Sequence, residues 1–575
     1  MRRLARFLKP YRFQVTLGPI FKLIEAIFEL IVPLVMADMI DRGVKLGDTA
    51  YIWRNGTILL LLGIVGLACS LTCQWLASVA SQGVGTDLRN SLFSHINTLS
   101  HAELDQFGTS TLVTRMTSDI NQLQVAVAML IRLVVRAPFL AVGAIVMAMG
   151  IDLKLSLIFL AVMPIISLTL YLIMSRSVPF FVLIQKKLDR LSLITRENLN
   201  GTRVIRAFGK QEHEQQRFYA ASDELAAVSI RIGKLSALLS PLSFLIMNLG
   251  IVAIIWFGGM RVQGGEMTQG QIVAFVNYMA QILLALVVVA NLVVLFTKAA
   301  ASAARVNEVF DTQPSVVEKA HEPVKKVQDA PKITFDHVSF RYGKDGKNAL
   351  NDISFSIQKG ETVGIIGGTG SSKTTLINLI LRLYDTVEGQ VLVDGIDVRN
   401  YPISQLRGMI GLVPQQAMLF TGTIAQNLRW RKKNADDAEL YHALSIAQAD
   451  DFVKDLPEGL GTILYQGGKN LSGGQKQRLT IARALVGSPE ILILDDSASA
   501  LDYATDAALR KALQKETKGM TVCIVSQRVS AIRHADRILL LEEGEVAGTG
   551  SHQSLYENCP VYREICLSQQ NGEEA

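Results

Sequence analysis

Six stretches of the chain, at about 14–37, 56–80, 127–150, 154–177, 236–259 and 270–297, are apolar over lengths that reach the ~20 residues a bilayer-spanning helix needs. Lipid offers no partner to an irregular backbone, so such stretches have to fold as helices. Nothing comparable follows residue 300, and from about 333 the chain has the mixed polarity of a domain in water. A chain of 575 residues is in any case too long for one core. Its 49% hydrophobic and 19% charged content is the average expected of a membrane half joined to an aqueous half. The net charge of +6 is modest; basic residues at an inner membrane face account for it, with no nucleic acid partner.

The spacing of the spans is informative. Only GIDLK separates the third from the fourth, whereas about fifty residues of helical pattern separate the second from the third and the fourth from the fifth. The long connections carry Arg89, Arg115, Lys186, Lys187, Arg190, Arg203 and Arg206, a bias that places them in the cytoplasm with the basic N-terminus. Between the halves, TQPSVVEKAHEPVKKVQDAPK holds prolines and charges without an apolar period and reads as a linker. The expected division is a membrane domain at 1–310, a linker at 311–332 and a second domain at 333–575. The opening MRRLARFLKPYR is basic, but the apolar run after it is too long and too interrupted for a cleaved leader. Cys69, Cys73, Cys523, Cys559 and Cys566 are an odd, scattered set and no disulfide framework.

Several polar and adaptable side chains lie inside the spans. Lys22, Glu25 and Glu29 share one helix face at spacings of three and four. The glutamates are candidate ligands for a cationic cargo or members of a proton relay; local pairing of Lys22 with Glu25 is the simpler alternative. Phe244, Met247, Phe275, Tyr278 and Met279 are candidates to line an adaptable apolar cavity, although helix packing explains any single one of them more simply.

In the second half, the strand-like ETVGIIG runs into GGTGSSKTTLINLI. Gly367, Gly368, Thr369, Gly370, Ser371, Ser372, Lys373, Thr374 and Thr375 fit a glycine-rich phosphate loop and the start of its helix. Loop and helix N–H groups would surround phosphates, Lys373 would neutralise them, and the Thr374 hydroxyl would hold Mg2+. Ser372 stands where the pattern asks for glycine. The aliphatic strand ILILDD follows some 120 residues later and supplies Asp495 for the magnesium shell. Between them, NLSGGQKQRLTIARAL presents Ser472, Gly473, Gly474 and Gln475 at the start of an amphipathic helix, a second anion-binding terminus. One domain cannot easily aim both termini at one nucleotide; two domains facing head to tail can.

With LSGGQ at 471–475 beside a phosphate loop and an aspartate-ended strand, this half resembles the nucleotide-binding domain of ATP-binding cassette (ABC) transporters. Six spans ahead of it resemble one half of an ABC exporter, and the likeness covers nearly the whole chain. The resemblance implies a six-helix transmembrane domain of the type I exporter fold followed by an α/β P-loop cassette, and a second half-subunit that sandwiches ATP and Mg2+. It implies a multi-pass protein of the bacterial cytoplasmic membrane, with the cassette in the cytoplasm. Carried over by position, Tyr342 in SFRYG matches the residue that stacks on adenine. Gln415 in GLVPQQ matches the glutamine that reaches toward Mg2+, and Ser499 to Asp502 match the turn that crosses to the opposing domain. TSDINQLQ (117–124) and FGKQEHE (208–214) resemble the two coupling helices.

Two further positions depart from the family pattern. Asp496 stands where a glutamate usually acts as base, and Gln527, in SQRVS, stands where a histidine usually contacts the γ-phosphate. A base has to reach its water within about 3 Å, and aspartate is one methylene shorter. Glutamine stays neutral as charge develops on the phosphate. With Ser372, the pattern resembles the hydrolysis-impaired site of heterodimeric bacterial multidrug exporters. The expectation is therefore a heterodimer that carries hydrophobic drugs, in which this chain lends Ser472–Gln475 to the partner's competent site. A homodimeric lipid or peptide exporter, and a nonhydrolytic ATP-binding regulator, are the alternatives.

Overall fold

The computed structural model describes residues 4–318, 327–343, 346–497, 501–516 and 518–573. They form two compact units. The first runs to Asn97 and resumes at Ser110–Asp311; the second takes Thr98–Thr109 together with everything described from Thr312 onward.

The first unit is helical. α1 (Arg12–Asp38) and α2 (Thr49–Ile96) are followed by the short α3 (His101–Phe107) and α4 (Thr109–Thr114), then α5 (Ile120–Arg132), α6 (Arg136–Ile151) and α7 (Leu153–Asn200). α8 (Thr202–Ala207), α9 (Gln211–Ala237), α10 (Leu239–Gln263) and α11 (Gln269–Asp311) complete it, α3 alone belonging to the second unit. Among the described residues five spans are long and apolar enough to cross a membrane. α1 is the sixth expected span, set apart by Lys22, Glu25 and Glu29. At 48 residues, α2 and α7 are each about 72 Å long, more than twice the ~30 Å hydrocarbon layer, so both continue well beyond it.

The charges on α1 are already matched. Lys22 Nζ lies 2.6 Å from Glu25 Oε2 and Arg136 lies 2.7 Å from Glu29 Oε2. Neither glutamate is a bare anion awaiting a cation, and the local-pairing alternative describes Glu25. Phe275, Tyr278 and Met279 are fully buried, with Phe275 stacked on Phe159 at 5.5 Å and the Tyr278 hydroxyl donating to Leu30 O at 2.7 Å. They are core, while Phe244 is exposed. An open apolar cavity of about 740 Å³ lies elsewhere, lined by Leu130, Val134, Val289, Val293 and Phe296 among others.

The second unit holds two main sheets. β1 (Ile333–Phe340), β2 (Leu350–Ile357), β4 (Glu388–Val393) and β5 (Ile396–Asp397) form an antiparallel sheet in the order β2-β1-β4-β5. β3 (Thr362–Ile366), β6 (Ile410–Val413), β9 (Ile491–Asp495), β10 (Thr521–Val525), β11 (Arg537–Glu542) and β12 (Glu545–Gly550) form the other, in the order β12-β11-β3-β10-β9-β6. All its pairings are parallel except that of the edge strand β12. β7 (Gly422–Thr423) and β8 (Ile463–Leu464) make a small ribbon. The parallel strands read as continuous aliphatic runs because helices cover both faces. α12 (Lys373–Ile380) and α13 (Ile403–Met409) share a core with Ile365, Ile493 and Leu539. On the other side, α14 (Ile424–Leu428), α15 (Asp437–Ile446), α16 (Asp450–Lys454), α17 (Gly473–Leu485) and α18 (Tyr503–Glu516) pack against Leu492, Leu494 and Val522. α19 (Val529–Ile532), α20 (His552–Asn558) and α21 (Pro560–Glu573) close the far edge. All five cysteines are free and buried, and burial pushes the Cys523 thiol up to about 12, so none is poised to react.

The segment Thr98–Thr109 departs from the expected division and from the expected coupling helices. Ser100 and Glu103 form a reciprocal capping box that starts α3, and Gly108, at φ 73°, ends it. Within the second unit, the Tyr384 hydroxyl donates to Asp105 Oδ2 at 2.6 Å, the His101 ring lies 6.2 Å from that of Tyr384, and Val316 N donates to Ser100 Oγ at 2.9 Å. Residues 117–124, expected in this role, instead pack on α11 in the first unit: Asp119 accepts from Ser302 Oγ and Arg305 Nε, both at 2.9 Å, and Ile120 is fully buried. The helix of the first long connection that groups with the second unit is thus α3, and not residues 117–124. FGKQEHE spans the turn between α8 and α9, where Phe208 is exposed.

Candidate nucleotide site

Adjacent parallel strands β3, β10, β9 and β6 deliver their loops to one edge of the sheet, where such sheets bind ligands. β3 leads into Gly367–Thr374, β10 into Ser526 and Gln527, β9 ends on Asp495 and Asp496, and β6 precedes Gln415. The result is a cavity of about 330 Å³ lined by Thr369, Gly370, Ser372, Lys373, Thr374, Thr375, Gln415, Asp495, Asp496, Val525, Ser526 and Gln527. All of the candidate base, switch and metal positions are therefore brought together.

The loop is tight. A Cβ on Gly367 would stand 2.2 Å from Leu541 O, so only glycine fits, and Gly370 sits at φ 85°. Ser372, the position where glycine was expected, takes the left-handed conformation, φ 68° and ψ 24°. The loop backbone therefore keeps its shape, at a strain of about 1–2 kcal/mol for a residue with a Cβ. Lys373 is buried, and its Nζ donates to Gly367 O (2.8 Å), Gly368 O (2.7 Å) and Ser371 Oγ (3.1 Å). Burial lowers its pKa, while Asp496 and Asp495 pull the other way. The ammonium is thus threaded through the centre of the loop, where the N–H groups opening α12 have no helical acceptor.

Thr374 Oγ1 donates to Asp495 Oδ2 at 3.3 Å. Burial raises the pKa of Asp495; Asp496 adds to this, and Thr374 and Lys373 oppose it. Hard oxygen donors this close, with the Gln415 side chain in the same cavity, suit a small divalent cation. Asp496 turns out of the strand at φ 45°, with its N–H donated to Val525 O at 2.8 Å and its Oδ1 3.5 Å from Ser526 Oγ. Aspartate tolerates the left-handed region better than most residues. Its carboxylate stops one carbon–carbon bond, about 1.5 Å, short of where glutamate would reach.

Tyr342 is half exposed, and its hydroxyl shares a hydrogen bond of 3.0 Å with Thr375 Oγ1 of α12. Tyr384 meets it edge-on at 5.4 Å and Phe340 at 4.9 Å, which leaves a wall on which a base can stack. Tyr384 escaped the sequence reading, as did Ser100 and Asp105. The S-x-x-E string at Ser100–Glu103 was the available sign of a helix start.

The signature lies apart from this cavity. Ser472 and Gln475 form a capping box at the start of α17, with Ser472 N donating to Gln475 Oε1 at 2.9 Å, and Ser472 and Gly473 are exposed. Neither they nor Gly474 and Gln475 line the cavity built around Lys373. Of Ser499 to Asp502, Ser499 and Ala500 lie outside the described residues. Asp502 accepts from Thr505 N at 2.9 Å and Thr505 Oγ1 at 2.8 Å, the backbone bond being the main cause of its lowered pKa.

Residues 15–286 match the family described as ABC transporter transmembrane region, and residues 350–499 match the family described as ABC transporter. The chain is 38% identical to the "Uncharacterized ABC transporter ATP-binding protein MT1311" of Mycobacterium tuberculosis (strain CDC 1551 / Oshkosh), over 98% of this chain and 97% of that one. It is 33% identical to the "ATP-dependent lipid A-core flippase" of Syntrophus aciditrophicus (strain SB), over 88% and 85%. Identity is 32% to the "Probable multidrug resistance ABC transporter ATP-binding/permease protein YheI" of Bacillus subtilis (strain 168), over 99% and 97%. In fold it is similar to a solved structure titled "Structure of a bacterial Atm1-family ABC exporter with ATP bound", with TM-score 0.79 and 24% identity over 98% of this chain and 99% of that one. The chain belongs to the ABC transporter family: it is an exporter-type half-transporter of the bacterial cell membrane, whose cassette couples ATP hydrolysis to transport.

Proposed function

We propose that this chain pairs with a different half-subunit to export hydrophobic compounds, and that the site on its own phosphate loop binds ATP but turns it over slowly. One observation carries the reading: Ser372, Asp496 and Gln527, the departures from the family pattern, line the same cavity as Lys373. Changes scattered over a surface would be drift; changes around one phosphate position alter one reaction.

Lys373 neutralises the β- and γ-phosphates, and Tyr342 stacks on the base. Thr374 and Asp495, with Gln415, are the residues that would hold Mg2+, which supplies further charge neutralisation. Asp496 is too short to bring an attacking water into line, and Gln527 donates a hydrogen bond but no charge. Ser472–Gln475, outside this cavity, serve the nucleotide on the partner's loop. Binding between the two cassettes draws them together, and the coupling elements α3 and 208–214 pass that movement to the membrane helices. A relative named for multidrug resistance supports a drug cargo; two named lipid A-core flippases keep an amphiphilic lipid in view. The cassette's membership of an ATP-hydrolysing family sets aside a nonhydrolytic regulator.

The test is to capture the complex from its own membrane through a tag on this chain and to weigh it intact. A second, different half-subunit carrying glutamate and histidine at the corresponding positions is the expected result. A dimer of this chain alone would sink the two-site account, because Asp496 and Gln527 would then have to sustain all hydrolysis.

A further inference from the structure

The segment after β10 carries Gln527 to the phosphate end of the cavity, and something outside the cavity holds it there. Ser526 is fixed by the sheet, its N–H donated to Ile365 O at 3.1 Å. Its hydroxyl accepts from Arg528 N at 3.0 Å. Beyond that point Arg510 of α18 donates to Ser530 O, while the side-chain contacts to the backbone at 527 and 529 come from α21. Gln569 Nε2 donates to Gln527 O at 2.7 Å, and Gln569 Oε1 accepts from Val529 N at 2.8 Å. The amide thus grips the backbone on both sides of Arg528, once as donor and once as acceptor. A carboxylate cannot do both, and an aliphatic side chain can do neither.

The grip is itself anchored. Tyr562, Cys566 and Gln569 follow at spacings of four and three, so they share one face of α21. Tyr562 is fully buried and Cys566 nearly so, in a cluster with Ile532 of α19, Ile538 and Leu540. The Tyr562 hydroxyl also lies 2.8 Å from His552 Nδ1. Gln569 does not line the nucleotide cavity, whereas Gln527 does.

We propose that Gln569 is a positioning residue for the nucleotide site: by clamping the backbone at 527 and 529 it aims the Gln527 side chain at the γ-phosphate of ATP. The C-terminal helix thereby sets how well this site tells ATP from ADP. The inference rests on the placement of Gln527 at the γ-phosphate given above, and it is independent of whether the partner subunit is the same or different.

The experiment uses the full chain in lipid nanodiscs, with ATP and ADP affinities and amide exchange measured for the wild type, Gln569→Ala, Gln569→Glu and Gln527→Ala. In Gln569→Ala the Val529 amide is expected to exchange about tenfold faster. The ratio of ATP to ADP affinity falls about fivefold with ADP affinity unchanged, as for loss of a hydrogen-bonded aim. Gln569→Glu keeps the acceptor and loses the donor, and falls between. A faster Val529 amide with an unchanged ratio overturns the proposal, as does an unchanged amide. Equal losses for both nucleotides with a lowered melting temperature also overturn it, since they would mean that Gln569 only docks its helix. If Gln527→Ala itself leaves the ratio unchanged, the reading of Gln527 fails with it; a ratio that responds to Gln527→Ala but not to Gln569→Ala overturns the Gln569 proposal alone.

Discussion

The two helix starts proposed above to meet the nucleotide are built in opposite ways. α12 opens inside a cavity, behind a strained Ser372 and around a buried lysine that already bonds three loop oxygens. α17 opens at the surface, and its capping box satisfies itself through Ser472 and Gln475. The first is a socket, in which charge and strain are stored before any ligand arrives. The second is a stable cap that gives up little if nothing comes. On the proposed pairing, a site assembled from one of each would hold its nucleotide on one side and gain the other contact only when two cassettes meet.

Substitutions can break or sharpen this contrast, and they are ordered here by expected effect. Lys373→Ala removes the buried cation and should weaken ATP binding to this chain at least about a hundredfold, measured by equilibrium binding on the full chain. Gly473→Asp has open space, with nothing within 4 Å of a Cβ there. A carboxylate suits a helix start but repels phosphate. ATP affinity of the chain's own loop should stay within about twofold while turnover of the assembled exporter falls roughly a hundredfold. If both substitutions weaken binding to the same extent, the two helix starts are not different in kind.

Asp496→Glu combined with Gln527→His should raise turnover at this site about tenfold or more, read as single-turnover hydrolysis. An unchanged rate with nucleotide bound would place the defect elsewhere. Asp495 gives a pH signature. Burial raises its pKa, so the ionised form destabilises the fold above that pKa and costs nothing below its ordinary range. Asp495→Asn should therefore melt higher than the wild type at neutral pH, and the gain should shrink as pH falls through the raised value. Ser372→Gly, the smallest change, should relieve about 1 kcal/mol of backbone strain and leave ATP affinity nearly unaltered.

Much of this was legible in the sequence because short strings carried it. Phosphate loop, signature and strand-end aspartate are contiguous motifs, and the parallel sheet then had little freedom in where to put them. The long spans were legible for the same reason. What escaped depends on contacts across large separations. Asp105 meets Tyr384 and Gln527 meets Gln569 through the fold alone. TSDINQLQ has the polarity of a surface helix, yet Asp119 is buried against Ser302 and Arg305, and it is Thr98–Thr109 that groups with the second unit. Ser372 shows the converse: its identity was plain, but only the backbone angle reveals that the loop survives it.

The return of Thr98–Thr109 to the second unit has a consequence for how the molecule is made. Its partners from Val316 to Tyr384 are encoded two hundred residues and more downstream. At about 5–20 residues per second, α3 waits roughly 10–40 s for the first of them to leave the ribosome. The membrane helices are inserted during that wait. Until then α3, seven residues long, has only its own capping box and is too short to be stable alone, and a cassette synthesised from residue 312 alone would fold with Tyr384 uncovered. The cytosolic body of this transporter is completed only after the membrane spans encoded ahead of residue 312 have been made.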